Sequence, residues 1–227
     1  MTGIASFHLV RERRGARALA RLGTDRRRLP QVPGLAFWRL LGTGRGSNTA
    51  TSIDVRRTAL FAVWEREHDL DVFLRDSAIA DRWTRAAEAW HVRMRAVGGH
   101  GSWRGFDVLP ALQAGSDAGP IAVITRASVR WRSWGAFSRA SSTVNAELQR
   151  TTGLLRALGM GEAPVGRLGT FSLWRSVDDV RAFAGSPRHA DVMHRSRAEA
   201  WYREELFARF EPYGSEGTWD GVDPLRK

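Results

Sequence analysis

The chain repeats itself. Leu41-Gly42-Thr43-Gly44 returns as Leu158-Gly159-Met160-Gly161, and Thr58-Ala59-Leu60-Phe61-Ala62-Val63-Trp64 returns as Gly169-Thr170-Phe171-Ser172-Leu173-Trp174. Ala87-Glu88-Ala89-Trp90 returns as Ala198-Glu199-Ala200-Trp201, and Gly101-Ser102-Trp103-Arg104-Gly105 is echoed by Gly217-Thr218-Trp219-Asp220-Gly221. The offsets are 117, 110, 111 and 116 residues, so the order is kept and only loop lengths differ. A repeat of about 110 residues restricts the fold to one supersecondary unit used twice.

Each copy reads as strand, helix, strand, strand, helix, strand. In the first, Ile4 to Val10 alternates like an edge strand, Gly15 to Leu29 is amphipathic, and Leu35 to Leu41 and Thr58 to Trp64 are strands. A helical region from about Leu70 to Glu88 and a strand Trp90 to Val97 complete it. The second copy follows with strand Ile121 to Thr125, helix Trp134 to Gln149, strands Leu154 to Gly159 and Gly169 to Trp174, helices over Val177 to Ala200 and strand Glu205 to Phe210. Pro187 suits the first turn of a helix and splits that helical region. The order is the ferredoxin-like βαββαβ plan, whose antiparallel sheet carries helices on one face. Two such units bury their open faces against each other, so the expected fold is α+β, tandem ferredoxin-like repeats forming a pseudo-dimeric α+β barrel. Residues 1–112 make the first repeat, the Ala/Gly/Ser-rich 113–120 a linker, and 121–227 the second repeat.

Composition narrows the chemistry. With 43% hydrophobic residues and ten Trp a core is easily filled. There is no Cys, which removes thiolate nucleophiles, zinc-thiolate sites, iron–sulfur clusters and sulfur-ligated haem. No apolar run of membrane-spanning length occurs, and Met1 to Arg14 lacks the features of a signal peptide, so a cytoplasmic protein is expected. The net charge of +11 is nearly all arginine, Lys227 being the only lysine. The arginines are scattered through both halves, often beside acids, so nucleic-acid binding is not expected. Attraction of the basic stretch Arg11 to Arg28 to an anionic membrane, or of the chain to an acidic partner, stays open. Nothing in the sequence fixes the oligomeric state. Gly42-x-Gly44-x-Gly46 lacks the Lys-Ser/Thr of a phosphate loop and reads as a turn between strands.

The last third carries a family likeness. Trp201-Tyr202-Arg203-Glu204-Glu205-Leu206, followed by Gly217-Thr218-Trp219-Asp220-Gly221 and Asp223-Pro224-Leu225, resembles the carboxy-terminal signature of the spheroidene monooxygenases. Pro33-Gly34-Leu35-Ala36-Phe37-Trp38-Arg39-Leu40 and Ile124-Thr125-Arg126-Ala127 extend the similarity over most of the chain. The resemblance implies a dimeric α+β barrel fold and oxygenation of an apolar small molecule such as a carotenoid. It further implies haem as cofactor, dioxygen as oxidant and electrons from a donor such as a ferredoxin. Two rival readings stand beside it: a haem enzyme acting on a nitrogen-containing substrate in the manner of an aldoxime dehydratase, and a haem-free barrel that binds a small molecule.

Under that resemblance the iron needs an axial ligand, and without Cys the choices are His, Tyr or Met. His189 ranks first. Helical spacing puts it on one face with Val192, Met193, Ser196 and Ala200, a small and apolar wall for a macrocycle, and the first copy offers only Ala78 or Ile79 there. A partly buried histidine bonded to backbone is the competing reading. His194, about 140° round the helix, is the runner-up. His8, His68, His91 and His100 read as surface residues. Tyr202 reads as core packing. Arg126 and Arg203 are candidates for pairing haem propionates, against the alternative of ordinary salt bridges. Trp38, Trp64 and Trp174 are candidates to line an apolar pocket. Substrate differences are expected in the linker and in the loop Arg45 to Arg57.

Overall fold

The computed structural model describes residues 3–44, 53–162 and 166–226. Eight strands, all paired antiparallel, close into a barrel: β1 (Ile4–Arg11), β2 (Leu35–Gly44), β3 (Ile53–Trp64), β4 (Glu88–Gly101), β5 (Ile121–Val129), β6 (Leu154–Gly161), β7 (Arg167–Trp174) and β8 (Tyr202–Gly217). Around the ring they run β1-β3-β2-β6-β7-β5-β8-β4. Each half therefore orders its strands by the same permutation, β4-β1-β3-β2 and β8-β5-β7-β6. The halves are stitched by β2 against β6 and by the longer β4 against β8. Closure leaves no edge, so β1 is not an edge strand: it is buried along almost its whole length between β3 and β4.

Six helices lie outside the barrel: α1 (Gly15–Arg28), α2 (Glu67–Asp76) and α3 (Ala78–Trp83) on the first half, and α4 (Trp134–Leu148), α5 (Val177–Ala184) and α6 (Pro187–Ala198) on the second. Strand alternation sorts the apolar residues into three layers. Inward-facing Phe7, Phe61, Trp90, Ile124, Phe171 and Phe210 fill the barrel, while Ile4, Leu60, Trp64, Phe73 and Trp83 pack under the first set of helices and Ile121, Val123, Trp174, Val177 and Val180 under the second. Phe7 and Phe171 stack across the interior at 3.9 Å and 4°. The interior is a packed core.

The Trp-containing hairpins seal both ends. Trp103 stacks on Phe61 at one end and Trp219 meets Trp90 and Phe171 at the other. One carboxylate latches each: Glu204 accepts from the Ser102 hydroxyl (3.0 Å) and the Gly105 amide (2.8 Å), and Glu88 accepts from the Thr218 hydroxyl (3.0 Å) and the Gly221 amide (2.7 Å).

That latch corrects one part of the repeat. Leu9 pairs with Trp90 and Arg126 with Leu206, so β4 and β8 superpose with the offset of the Trp hairpins, and Glu88 answers Glu204. The Ala-Glu-Ala-Trp match is displaced by five residues: Glu88 opens a strand, whereas Glu199 follows a helix. Helix therefore ends at Trp83 and does not reach Glu88. Ala200 is also off the α6 face, lying past its end at φ 48°.

The stretch 113–120 is tied down at its start. The Gln113 amide donates to the Gly3 carbonyl (2.8 Å), the Ala96 amide to the Gln113 carbonyl (2.8 Å) and the Gly115 amide to the Ala96 carbonyl (2.7 Å). Gly42 and Gly44 are strand residues of β2, not a turn; Gly46 and the rest of the segment 45–52 lie outside the described residues.

Candidate functional site

A cleft of about 180 Å³ lies on the outer face of the second half, floored by β5 and β7 and walled by α4 and α6. Alternation decides what the floor presents. On β5, Ala122 and Ile124 point into the barrel and Ile121 and Val123 toward the helices, so Thr125 and Ala127 continue the helix-facing row. On β7, Thr170 and Leu168 share that side with Trp174, and Thr125 is paired with Thr170 across the strands. Phe137, Ala140 and Val144 come from α4, and His189, Val192 and Met193 from α6. Tyr202, at the start of β8, meets the Phe137 ring edge-on.

His189 is set by the junction Gly185-Ser186-Pro187. The α5 helix ends at Ala184, Pro187 starts α6 in its first turn, and the His189 ring returns to the exposed end of α5. Its Nδ1–H donates to the Ala184 carbonyl at 3.1 Å, and the ring lies 5.1 Å from that of Phe183. This fixes the tautomer and leaves Nε2 as a lone-pair donor. Burial pushes its pKa below the ordinary value, although the Ala184 carbonyl and Glu147 pull the other way, so the imidazole is neutral and able to ligate near pH 7.

Of the residues singled out in the sequence, His189, Met193 and Arg126 line this cleft and Arg203 and His194 do not. His194 and Arg203 are exposed. Arg126 lines it from the barrel side. Only 4% exposed, it pairs with Glu204 and, at 3.4 Å, with Glu162, while its Nε has no partner. Burial alone raises the Glu162 carboxyl, but the Trp103 indole N–H and the Arg126 and Arg104 guanidiniums hold it below its usual range. Trp64 and Trp174 belong to the layers under the helices and line no part of the cleft. Tyr202 does line it, and burial pushes its phenol up to about 12, which keeps it neutral.

His8 and His91 are not surface residues. His8 is 1% exposed, with Nδ1 3.0 Å from His91 Nδ1 and Nε2 2.8 Å from the Ser6 hydroxyl. Thr125 and Thr170 escape sequence reasoning because threonines in strands carry no signal; only the cross-strand register brings them together.

The cleft residues fit a haem in kind: an imidazole with a pinned Nδ1, apolar walls, and a floor of small side chains. At about 180 Å³ the cleft is smaller than the roughly 300–1,000 Å³ of typical small-molecule sites. Among the described residues no cluster of three or more His, Asp or Glu forms a metal site, and no helix is long and apolar enough to cross a membrane.

No protein-family model matches the sequence. Among solved structures, an aldoxime dehydratase aligns over 92% of this chain and 81% of its own with TM-score 0.61 and 12% identity. An aldoxime dehydratase in complex with butyraldoxime aligns over 95% and 82% with TM-score 0.60 and 12% identity. At that identity the likeness is one of fold. Curated relatives are nearer: the spheroidene monooxygenase of Rhodobacter capsulatus is 31% identical over 88% of this chain and 85% of its own, and that of Rubrivivax gelatinosus 35% identical over 83% and 73%. The Cereibacter sphaeroides protein is 31% identical over 86% of this chain, which spans 61% of that relative's length. On these alignments the chain belongs to the spheroidene monooxygenase family.

Proposed function

We propose that this chain is a monooxygenase that oxidises an apolar small molecule of the carotenoid class, with haem held in the α4/α6 cleft. The observation that carries the reading is His189, whose Nδ1–H is bound to the Ala184 carbonyl and whose Nε2 is left free at an apolar cleft. The names of the curated relatives supply the substrate class and the oxygenation. A bound haem would supply the dioxygen activation that oxidation of an unactivated hydrocarbon carbon requires. The chain's own part would be to ligate through His189 Nε2, to exclude water with Val192, Met193, Val144 and Phe137, and to present Thr125 and Thr170 from the floor. Arg203, exposed, next in sequence to the cleft-lining Tyr202 and without an ion pair among the described residues, would be the guanidinium free to meet a carboxylate, whereas Arg126 is already engaged by Glu204 and Glu162. Dioxygen and an external electron donor such as a ferredoxin complete the reaction. The shared strand permutation of the halves supports reading the barrel as two ferredoxin-like units in tandem.

The test is spectroscopic. Protein reconstituted with haem is expected to give a strong Soret band that is lost in His189→Ala and kept in His194→Ala. Retention of the band in His189→Ala overturns the ligand assignment. Turnover requiring both reductant and dioxygen separates oxygenation from a nitrogen-directed haem reaction, which consumes no electrons.

A further inference from the structure

We propose that α1, together with the start of β3, is a docking face for an anionic lipid surface. Arg13, Arg14, Arg17, Arg26, Arg27 and Arg28 are exposed, and none has an ion pair among the described residues. The nearby acids are spent: Glu12 and Asp25 are buried and taken by Arg21 and Arg82. Among these cations sit three exposed aliphatic residues, Leu19 at 59%, Ile53 at 54% and Val55 at 48%. They belong together, because Gly15 lies so close to Val55 that a Cβ there would stand 2.9 Å from its methyl, and Leu19 follows Gly15 by one helical turn. Aliphatic groups flanked by guanidiniums along one exposed side match the headgroup boundary of an anionic bilayer, where clusters of about four to eight basic residues suffice for electrostatic attachment.

The repeat supplies a control for the fold's own needs. α4 occupies in the second half the place of α1 in the first, yet it carries the single Arg139 against the five arginines of α1. Packing a helix on this sheet therefore does not demand the cations, and an arginine-rich genome would have enriched both.

Other occupants fit less well. A second copy would set six unpaired arginines against six. An acidic redox protein serving the cleft would dock elsewhere, since β1 and β3 stand diametrically opposite β5 and β7 in the ring. Duplex nucleic acid offers nothing to Leu19, Ile53 and Val55. Because the face and the cleft lie on opposite sides, this inference does not rest on the reading of the cleft.

The experiment is co-sedimentation of the full chain with phosphatidylcholine vesicles with and without phosphatidylglycerol. Binding is expected only to the anionic vesicles and is expected to weaken steeply with salt. Arg17→Gln/Arg26→Gln/Arg27→Gln/Arg28→Gln is expected to lose at least tenfold in affinity, and Leu19→Gln severalfold, with unchanged circular dichroism and unchanged ligand binding at the cleft. Trp131→Ala/Arg132→Gln, removing the 78%-exposed indole on the other half, is expected to bind as wild type. Failure of the wild type to bind anionic vesicles, full binding by the quadruple variant, loss of binding in the Trp131 variant instead, or displacement from vesicles by duplex DNA at equal charge each overturns the proposal.

Discussion

Four residues in from the Ile–Trp pair that begins each half, the two sheets diverge. His8 is paired with Leu60 in the first, and Thr125 with Thr170 in the second. The next strand continues the contrast, with His91 beside His8 and Phe207 beside Thr125. Above the first pair Trp83 closes down, Glu12 pairs with Arg21 and Asp25 with Arg82, and a gap of about 20 Å³ is left. Above the second, α6 runs twelve residues where α3 runs six, and a cleft of about 180 Å³ opens beneath it. One scaffold thus carries a plugged site and an open one. The difference comes from a few side chains on equivalent strand positions and from the length of one helix, while the barrel itself is held in common.

The sharpest way to break the contrast is to make the second half like the first at the proposed ligand. His189→Ile, copying the buried Ile79 of α3, is expected to abolish haem retention, lowering affinity more than 100-fold with the fold intact; a haem titration followed by absorbance measures it. Removing the latches tests the two ends. Glu204→Ala leaves the 3%-exposed Arg126 side chain with only Glu162 at 3.4 Å and is expected to cost about 3–5 kcal/mol in urea unfolding. Glu88→Ala frees the matching hairpin, but Arg57 keeps Asp220, so about 1–2 kcal/mol is expected there. Equal losses at the two ends would mean that Arg126 is not a buried charge in need of its partner. Thr170→Leu rebuilds the plug: it is expected to weaken ligand binding at least tenfold while raising apo stability by about 1 kcal/mol through added apolar burial, read as a higher melting temperature without ligand.

Much of this was legible in the chain and some was not, for reasons that follow from the physics. The repeat, the strand–helix order and the start of α6 at Pro187 are local signals and led to a two-half barrel; His189 was singled out under the family resemblance, and periodicity only placed it on a helix face. Closure is non-local. Nothing in Ile4 to Val10 says that both its edges are paired, and alternation at a buried strand looks the same at a rim. The Ala-Glu-Ala-Trp echo misled because four similar residues outweighed a five-residue register error that only pairing reveals. His8 was missed because a lone histidine is polar by type; its burial depends on Ser6, Trp64 and His91, the last 83 residues away. Arg126 was read as a partner for haem propionates, with an ordinary salt bridge as the alternative, and its parity on β5 turns it to Glu204 and Glu162.

A pH effect sharpens the comparison most, because it is confined to the plugged half. His8 and His91 share one short contact while the Trp64 indole donates to the Ser6 hydroxyl at 2.8 Å, so the network closes with both rings neutral. An added proton turns the acceptor nitrogen between the rings into a second donor facing the first. Burial lowers His8 well below its ordinary value, reinforced by His91 and Arg93, and burial lowers His91 to about 4. A histidine depressed in the fold takes up protons more readily when unfolded. The pair's contribution is therefore complete above about pH 6.5 and is lost as pH falls from there toward 4. A loss on the order of 2 kcal/mol across that window is expected, and His8→Leu/His91→Phe, the latter copying Phe207, should flatten the dependence. Hydrogen exchange at pH 5 should then rise in β1, β4 and α3 of the wild type and not in β5, β8 and α6. A uniform rise through both halves, or a pH dependence that survives the double variant, would place the titrating group elsewhere and remove the histidine pair as the mark of the plugged site.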